Sequence, residues 1–226
     1  MSTIAVIGGT GPQGKGLGYR FALRGHDVVL GSRQESRAVE AAAELSSRLV
    51  GELTGSVIGS VNTLAADRAD LVILAIPYDG HDDLVAALTP HLTGKVVVSC
   101  VNPLGFDKRG PYGLDLGGTS AAEQAQRLIP ESSVVGAFHH LSAVTLMGTA
   151  DYLAHEDVLV CGDDPDAKRA VIDLAATVTG RPGIDAGALR LARQLEPLTA
   201  VLISINKRYR IRAGVAISGM TETTEH

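Results

Sequence analysis

A glycine-rich segment near the start of the chain has the spacing of a phosphate-binding loop. The apolar run at residues 3–7 is followed by Gly8 and then by Gly9, Gly11 and Gly14, which satisfy the pattern G-x-G-x-x-G. In this pattern the first glycine allows the turn from strand to helix, the second lets a pyrophosphate approach the backbone, and the third lets helix and strand pack closely. The amides and the positive dipole end of the following helix would bind the phosphates. The segment therefore predicts a dinucleotide site.

The end of the second predicted strand indicates which dinucleotide binds. NAD sites place Asp or Glu there, about 20 residues past the loop, to bond the ribose 2′-hydroxyl. This chain instead has Ser32 and Arg33, with Arg37 one helical turn later. Ser32 can donate a hydrogen bond to a 2′-phosphate, Arg33 can pair with it through its planar fork, and Arg37 can close the pocket. Because cations are disfavoured at a helix N-terminus unless an anion is bound, the pattern favours NADP over NAD.

Few other side chains have a spacing that suggests catalysis or metal binding. There is no Ser-His-Asp or Lys-based constellation, so we assign no catalytic side chain, and only the adjacent His139 and His140 could suggest a metal site, which we do not predict. His139 is the one candidate acid at a strand end; it is either a wall or hydrogen-bond donor of a pocket, or an ordinary strand-end histidine. Cys100 and Cys161 lie in apolar runs and are expected to be buried thiols in a reducing compartment, so we expect a cytoplasmic protein.

The elements that would position these residues follow from alternating apolar patterns. Short Val- and Ile-rich runs alternate with Ala- and Leu-rich amphipathic runs, which predicts an α/β fold: a Rossmann-type doubly wound parallel sheet with a small C-terminal α/β segment. We expect strands near residues 3–7, 27–30, 56–60, 70–76, 95–100, 134–138 and 157–161. We expect helices near residues 14–24, 35–50, 63–68, 80–88, 120–128 and 166–179.

The pattern changes near residue 150, which predicts an NADP-binding domain over 1–150 and a small C-terminal domain over 151–226. Residues 102–119 are rich in Gly and Pro and are expected to form a long functional loop. Pro197 predicts a kink or a fresh helix start. Apolar residues around it recur at spacings of four and three, and we expect them to pack on the first domain and on a second subunit, giving a homodimer. These residues are Leu191, Leu195, Leu198, Leu202 and Ile205.

Charge and hydropathy restrict the class of partner. The net charge of −5 argues against a general nucleic-acid binder, which would usually be basic. No apolar run is long enough to span a bilayer, and no basic region stands before the first apolar strand, so we expect no signal peptide. We therefore expect small-molecule partners, without nucleic acid or membrane. A basic cluster near the C-terminus could steer an acidic coenzyme tail, but we interpret it as a solvated face. It consists of Lys207, Arg208, Arg210 and Arg212.

Several segments together resemble the NADPH-dependent deazaflavin reductases, which pass hydride between NADP and the 8-hydroxy-5-deazaflavin coenzyme F420. The glycine loop at residues 8–17 and the Gly-Ser-Arg strand tip at residues 31–33 carry the resemblance first. The Cys-Gly-Asp-Asp turn at residues 161–164 and the Asp-Ala-Gly turn at residues 185–187 make it more specific. The similarity also includes residues 75–78, 97–99 and 137–139, and so spans nearly the whole chain.

The resemblance implies roles for particular residues. Together with Gly9 and Gly14 of the motif, Thr10, Gly11, Pro12 and Gln13 would bind the pyrophosphate, and Ser32, Arg33 and Arg37 the 2′-phosphate. Ile76, Val101 and Ala143 would lie near the nicotinamide. Tyr78, Asn102 and His139 stand at the ends of predicted strands, and for that reason we expect them to line the deazaflavin site. The family often has Trp at the position of Tyr78, and a single His followed by Thr where this chain has His139 and His140. These departures concern the shape of the deazaflavin pocket.

The implied reaction is direct hydride transfer between NADP(H) and coenzyme F420. Such a reaction needs the two rings held face to face with water excluded, and no side-chain proton relay is obligatory. Two alternatives stay open. One is an NADP-dependent reductase of a small imine or β-hydroxy acid, although those enzymes usually add a larger helical domain. The other is a non-catalytic NADP-sensing module, which would need no second ligand site.

Overall fold

The fold is built on a central sheet whose strands are short and apolar. The computed structural model describes residues 2–49 and 54–220. Its strands are β1 (Thr3–Ile7), β2 (Asp27–Ser32), β3 (Val57–Val61), β4 (Leu71–Leu74), β5 (Val96–Ser99), β6 (Leu104–Asp107), β7 (Gly110–Gly113), β8 (Ser133–Gly136), β9 (Leu159–Gly162) and β10 (Ile184–Gly187). Its helices are α1 (Pro12–Leu23), α2 (Glu35–Ser46), α3 (Asn62–Arg68), α4 (His81–Leu92), α5 (Ala121–Leu128), α6 (Ala143–Leu146), α7 (Pro165–Thr179) and α8 (Ala192–Tyr209).

The central sheet confirms the predicted Rossmann-type architecture. Eight of the described strands form it in the order β10-β9-β8-β5-β4-β1-β2-β3, and all neighbours from β3 to β8 pair in parallel. Each face carries its own apolar layer, so strands such as β4 are buried on both sides. The chain moves from β1 to β2 in one direction and to β4 in the other, which opens a crevice at the carboxyl ends of these strands.

The C-terminal segment extends the same sheet and makes it mixed at one edge. β9 pairs antiparallel with β8, and β10 pairs parallel with β9. The predicted parallel sheet is therefore confirmed from β3 through β8, and the small C-terminal segment adds β9 antiparallel to β8 at its edge. A boundary between domains 1–150 and 151–226 stays a prediction.

Two local expectations are wrong. Residues 102–119 do not form an irregular loop, because β6 and β7 pair as an antiparallel hairpin within them. The fresh helix start expected at Pro197 is not found, because α8 begins at Ala192 and continues through Pro197 to Tyr209, and a proline in a helix removes a single backbone hydrogen bond; a kink at Pro197 stays a prediction. The hairpin packs tightly on α8: a Cβ added at Gly113 would lie 2.6 Å from Cβ of Pro197.

The remaining differences lie at the ends of elements. Helix α4 runs through Pro90 to Leu92, beyond its expected end, and α6 and β10 were not expected. Strand β4 ends at Leu74, so Ile76 lies in the segment that follows it. The predicted end of the second helix at Val50 lies outside the described residues.

Candidate functional site

The glycines in the turn between β1 and α1 differ in how much space an added side chain would have. A Cβ added at Gly9 would lie 2.7 Å from the Val6 carbonyl oxygen, and one added at Gly14 would lie 2.7 Å from the Gly8 carbonyl oxygen. Gly8 itself has a φ of +77°, which favours glycine. A Cβ added at Gly11 would have the Gly8 carbonyl oxygen as its nearest neighbour, at 3.4 Å, which is an ordinary contact. The fold therefore requires glycine at positions 8, 9 and 14, whereas the space beside Gly11 is free to hold a ligand.

Helix α1 begins with its first amides available to a ligand. Gly11 is its N-cap residue and no side chain caps the helix, while Pro12 occupies the first turn. The amides of an uncapped first turn lack intrahelical acceptors and carry the positive end of the dipole. This N-terminus can therefore hold an anion close to Gly11.

A cavity of about 390 Å³ lies beside this N-terminus, at the ends of β1 and β2. Ser32 is buried in its wall, whereas Arg33 and Arg37 are exposed. Among the described residues neither arginine forms an ion pair. The cavity is lined by Gly8, Thr10, Gly11, Ser32, Arg33, Gln34, Arg37, Asn62, Ala75, Ile76, Pro77, Asp79, Gly80 and Leu84. Two guanidinium groups and a hydroxyl thus face a space that can take a phosphate.

A second, larger cavity of about 710 Å³ continues from the first across Gly11 and residues 75–77. Its walls come from the ends of β4, β5 and β8, from α6 and from one face of α8. Its lining includes Pro12, Gln13, Cys100, Asn102, His139, His140, Leu141, Ser142, Ala143, Val144, Thr199, Leu202, Ile203, Asn206, Lys207, Arg212 and Ala213. The two cavities together form one continuous crevice at the carboxyl edge of the sheet.

The structure brings most of the residues from the sequence analysis to this crevice. Thr10, Ser32, Arg33 and Arg37 line the smaller cavity, and Gly11 and Ile76 line both. Those found in the larger cavity are Pro12, Gln13, Asn102, His139 and Ala143.

Four of the expected residues line neither cavity. Gly9 and Gly14 lie behind the loop and serve its packing. Val101 is buried in the apolar core below the crevice. Tyr78 is turned away, because its hydroxyl donates to Gln124 Oε1 at 3.1 Å and its ring stacks on His81. The expectation that Val101 and Tyr78 form pocket walls therefore has no support from their placement.

His139 is buried and neutral. It follows Phe138, which has a φ of +62°, and its carbonyl oxygen accepts from Asn102 Nδ2 at 3.0 Å and Thr199 Oγ1 at 3.0 Å. Neither ring nitrogen has a hydrogen-bond partner among the described residues. Burial, with a smaller effect of His140, lowers the pKa of His139 to about 3. An imidazolium acid is therefore absent at neutral pH, which favours the interpretation of His139 as a wall.

This burial predicts a pH dependence of stability. Because the pKa of His139 is lowered in the folded state, its contribution is present above the unfolded pKa near 6.5 and is lost as the pH falls towards 3. Between these limits the loss should be about 1.4 kcal/mol per pH unit. Between pH 6 and pH 4.5, we expect the free energy of unfolding, measured with urea, to fall by about 2 kcal/mol more in the wild type than in a His139→Asn variant. Parallel pH profiles of the two proteins would contradict the buried neutral ring.

Sequence reasoning missed Arg20, which fixes one wall of the larger cavity. Arg20 of α1 is fully buried, and its guanidinium donates to carbonyl oxygens in the segment that follows Ala143 and Val144. The acceptors are the carbonyls of Thr145 (2.9 Å), Leu146 (2.7 Å), Gly148 (3.4 Å), Ala150 (2.6 Å) and Asp151 (3.0 Å). The one sequence signal that could have found Arg20 is its position inside the otherwise apolar run of residues 19–23.

The sequence analysis also did not identify Glu196, whose carboxylate links α8 to α5. Its carboxylate is buried and accepts from the backbone N–H groups of Ala121 at 2.9 Å and Ala122 at 3.0 Å, at the start of α5. Burial raises the pKa of Glu196 to about 7, although the two N–H donors favour its charged form. His140 adds a second bond to α8, since its Nε2 lies 2.7 Å from the Leu195 carbonyl oxygen.

Among residues 2–49 and 54–220, no group of three or more His, Cys, Asp and Glu side chains is arranged to hold a metal ion. No helix in these ranges has the length and apolar character needed to cross a membrane.

The sequence of the chain is similar to those of known oxidoreductases. The sequence profile of the family described as "NADP oxidoreductase coenzyme F420-dependent" matches residues 3–103, which contain β1 to β5 and the smaller cavity. The F420-dependent NADP reductase of Methanocaldococcus jannaschii is 37% identical over 222 residues, covering 96% of this chain and 98% of that protein. The F420-dependent NADP reductase of Methanothermobacter thermautotrophicus is 36% identical over 225 residues, covering 97% and 96%.

A solved structure agrees with the sequence relatives. The crystal structure of a candidate F420-dependent NADP-reductase from Arthrobacter sp. FB24 superposes with a TM-score of 0.78 at 29% identity, covering 96% of this chain and 100% of that chain. The similarity therefore extends over the sheet, the hairpin region and the C-terminal helices together.

Proposed function

The chain belongs to the family of F420-dependent NADP reductases, and from this we propose that its two adjoining cavities hold the two coenzymes of one hydride transfer. It is an oxidoreductase that transfers hydride between NADP(H) and the deazaflavin coenzyme F420. One observation supports the division of the crevice: Gly11 and residues 75–77 line both cavities. A dinucleotide with its phosphates at Gly11 would reach into each cavity with one of its ends.

The smaller cavity fits the adenosine half of NADP. Gly11 leaves space where a pyrophosphate would lie against the first turn of α1, and its added Cβ would meet nothing closer than 3.4 Å. Arg33 and Arg37 have no ion-pair partner among the described residues, so a 2′-phosphate would supply one. We assign Ser32, Arg33 and Arg37 to this phosphate.

The larger cavity has room for the nicotinamide and the deazaflavin ring. Its volume of about 710 Å³ lies within the range of sites for drug-sized ligands. Asn102 Oδ1 is buried without a hydrogen-bond partner in the described part of the chain and is available to a ring N–H or amide donor. We propose that Ile76 and Ala143 contact the nicotinamide, and that Asn102 and His139 border the deazaflavin. A sensing module would not need this second space.

The residues of the crevice would act by orientation and by exclusion of water. When both coenzymes are bound, the nicotinamide would supply or receive the hydride that the deazaflavin gives up or takes up. Contact between two rings held at about 3–3.5 Å accounts for most of the assistance such a transfer needs. Ile76, Leu141 and Ala143 give an apolar wall, and the neutral ring of His139 does not add a charge to it. No side chain in this scheme transfers a proton.

An absorbance assay with NADPH and purified F420 tests this function. We expect NADPH to reduce the deazaflavin, with intersecting initial-rate plots because both coenzymes must be bound together. We also expect His139→Ala to lower the rate modestly, whereas a general acid would cost roughly 10²–10⁴-fold. If NADPH reduces no deazaflavin between mildly acidic and mildly basic pH, but reduces a small imine or ketone, the assignment fails.

The choice of dinucleotide depends on Arg33. Replacing it by Ala removes a charge-assisted contact to the 2′-phosphate, which NADH lacks. We expect Arg33→Ala to weaken NADPH binding by on the order of 1.5–3 kcal/mol, measured by titration calorimetry, and to leave NADH binding nearly unchanged. Equal losses for both dinucleotides would refute the assignment of Arg33.

We also propose that the chain forms a homodimer through α8. Leu195 and Leu202 are buried within the chain, whereas Leu198 and Ile205 are half-buried and Val201, which lies on the same face of α8 as these two, is exposed. Two-fold dimers are the commonest oligomers, and an exposed apolar helix face suits such an interface. We expect a dimer mass by sedimentation at micromolar concentration and a monomer for Val201→Glu. A monomer mass of the wild type across this range would refute the dimer.

A cytoplasmic location completes the proposal. Cys100 and Cys161 are both free and buried, and burial raises the pKa of each thiol to about 12. Such inert thiols agree with a reducing compartment. Fractionation of the source cells would test the location.

A further inference from the structure

A cationic pocket outside the crevice lies between the β6–β7 hairpin and α8. It has a volume of about 380 Å³ and is lined by Arg109, Gly110 and Pro111 of the hairpin and by Ser204, Lys207 and Arg208 of α8. Three of these six residues are cations and none is acidic. The two walls are held in place, because β7 packs on α8 where Gly113 meets Pro197. We call these residues the hairpin pocket.

The charges of the hairpin pocket have no anions to balance them. Among residues 2–49 and 54–220, none of Arg109, Lys207 and Arg208 forms an ion pair. Three like charges around one small space repel each other, and the repulsion disappears when an anion enters. The chain as a whole carries a net charge of −5, so this local excess of positive charge does not follow from its composition.

The hairpin pocket is connected to the larger cavity of the crevice. Lys207 lines both spaces, and Arg212 lines the larger cavity beside it. A row of cations therefore runs from the ring site, over the C-terminal part of α8, to the hairpin. The smaller cavity shares no residue with the hairpin pocket. The phosphates assigned to NADP are thus accounted for elsewhere.

We infer that the hairpin pocket binds the acidic side chain of the deazaflavin coenzyme, through its phosphodiester or carboxylate groups. This inference rests on the proposed function, because it requires the deazaflavin ring in the larger cavity. A chain that leaves that ring site past Lys207 enters the hairpin pocket next. Arg109 and Arg208 then face it from opposite sides, one from each wall. Of the basic cluster near the C-terminus, Lys207 and Arg208 therefore belong to this coenzyme site, whereas Arg210 lines neither space and remains a solvated residue.

The test compares the full coenzyme with the same deazaflavin lacking its acidic side chain. The double variant Arg109→Gln/Arg208→Gln removes two charges from the hairpin pocket. Its matched control, Arg68→Gln/Arg169→Gln, removes two exposed arginine charges from other surfaces. Affinities are measured by quenching of deazaflavin fluorescence without NADP, and NADPH affinity by calorimetry.

We expect the double variant to bind F420 about 10- to 100-fold more weakly, with a smaller dependence on salt concentration. Its affinities for the side-chain-free deazaflavin and for NADPH should match those of the wild type, and the control should match the wild type throughout. Unchanged F420 affinity in the double variant, or an equal loss for the side-chain-free compound, would overturn the hairpin pocket alone. Failure of the wild type to bind or reduce either deazaflavin would overturn the proposed function, and this inference with it.

Discussion

A Gly11→Val variant should remain folded and lose its affinity for NADPH. The backbone of Gly11 has φ −76° and ψ 162°, a conformation that Val adopts without strain. The nearest protein atom to an added Cβ is 3.4 Å away, so the protein itself tolerates the side chain. The added methyl groups would instead occupy the space assigned to the pyrophosphate. We expect a loss of at least about 100-fold, or 2.7 kcal/mol, by calorimetry, with little change in melting temperature.

Gly14→Ala is the matched control for this prediction. Its Cβ would lie 2.7 Å from the Gly8 carbonyl oxygen and 2.8 Å from Cα of Gly9, and neither backbone atom can move freely. We therefore expect Gly14→Ala to lower the melting temperature, unlike Gly11→Val. A folded Gly11→Val protein that keeps its NADPH affinity would show that the loop is only a turn.

Replacement of Arg20 by Met should destabilise the protein more than any other exchange of an arginine discussed above. The variant keeps much of the apolar volume of the side chain but leaves up to five carbonyl oxygens without their donor. A buried acceptor without a partner costs about 1–3 kcal/mol, and some of these carbonyls can turn towards water. We expect a loss of at least about 3 kcal/mol in the free energy of unfolding, measured with urea. The KM for NADPH should also rise, because the same segment carries Ala143, which we assign to the nicotinamide.

Arg48→Met provides the comparison for Arg20. Arg48 is exposed and donates to one carbonyl of the same segment, that of Met147, at 2.7 Å. Its loss should cost less than about 1.5 kcal/mol. If both variants lose the same stability, the carbonyl contacts of Arg20 are not what holds the segment.

The sequence alone determined the features that depend on short spacings. Gly9, Gly11 and Gly14 lie within six residues, and Ser32, Arg33 and Arg37 within another six, so one turn and one strand end are enough to place them. The apolar runs that became β1 to β5 could be identified because strands buried on both faces are continuously apolar. The resemblance to the deazaflavin reductases used the same kind of local motif and is confirmed by full-length relatives.

The tertiary structure decided what depends on distant parts of the chain. Arg20 finds its acceptors about 125 residues away, and Glu196 caps a helix that begins 75 residues earlier. Tyr78 follows a strand that ends at the crevice but turns to Gln124, and Arg109 meets Lys207 only because a hairpin packs on α8. The direction of a side chain is set by the partners that compete for it, and a linear pattern does not contain those partners. Spacing therefore located the dinucleotide loop, whereas packing selected the walls of the second site.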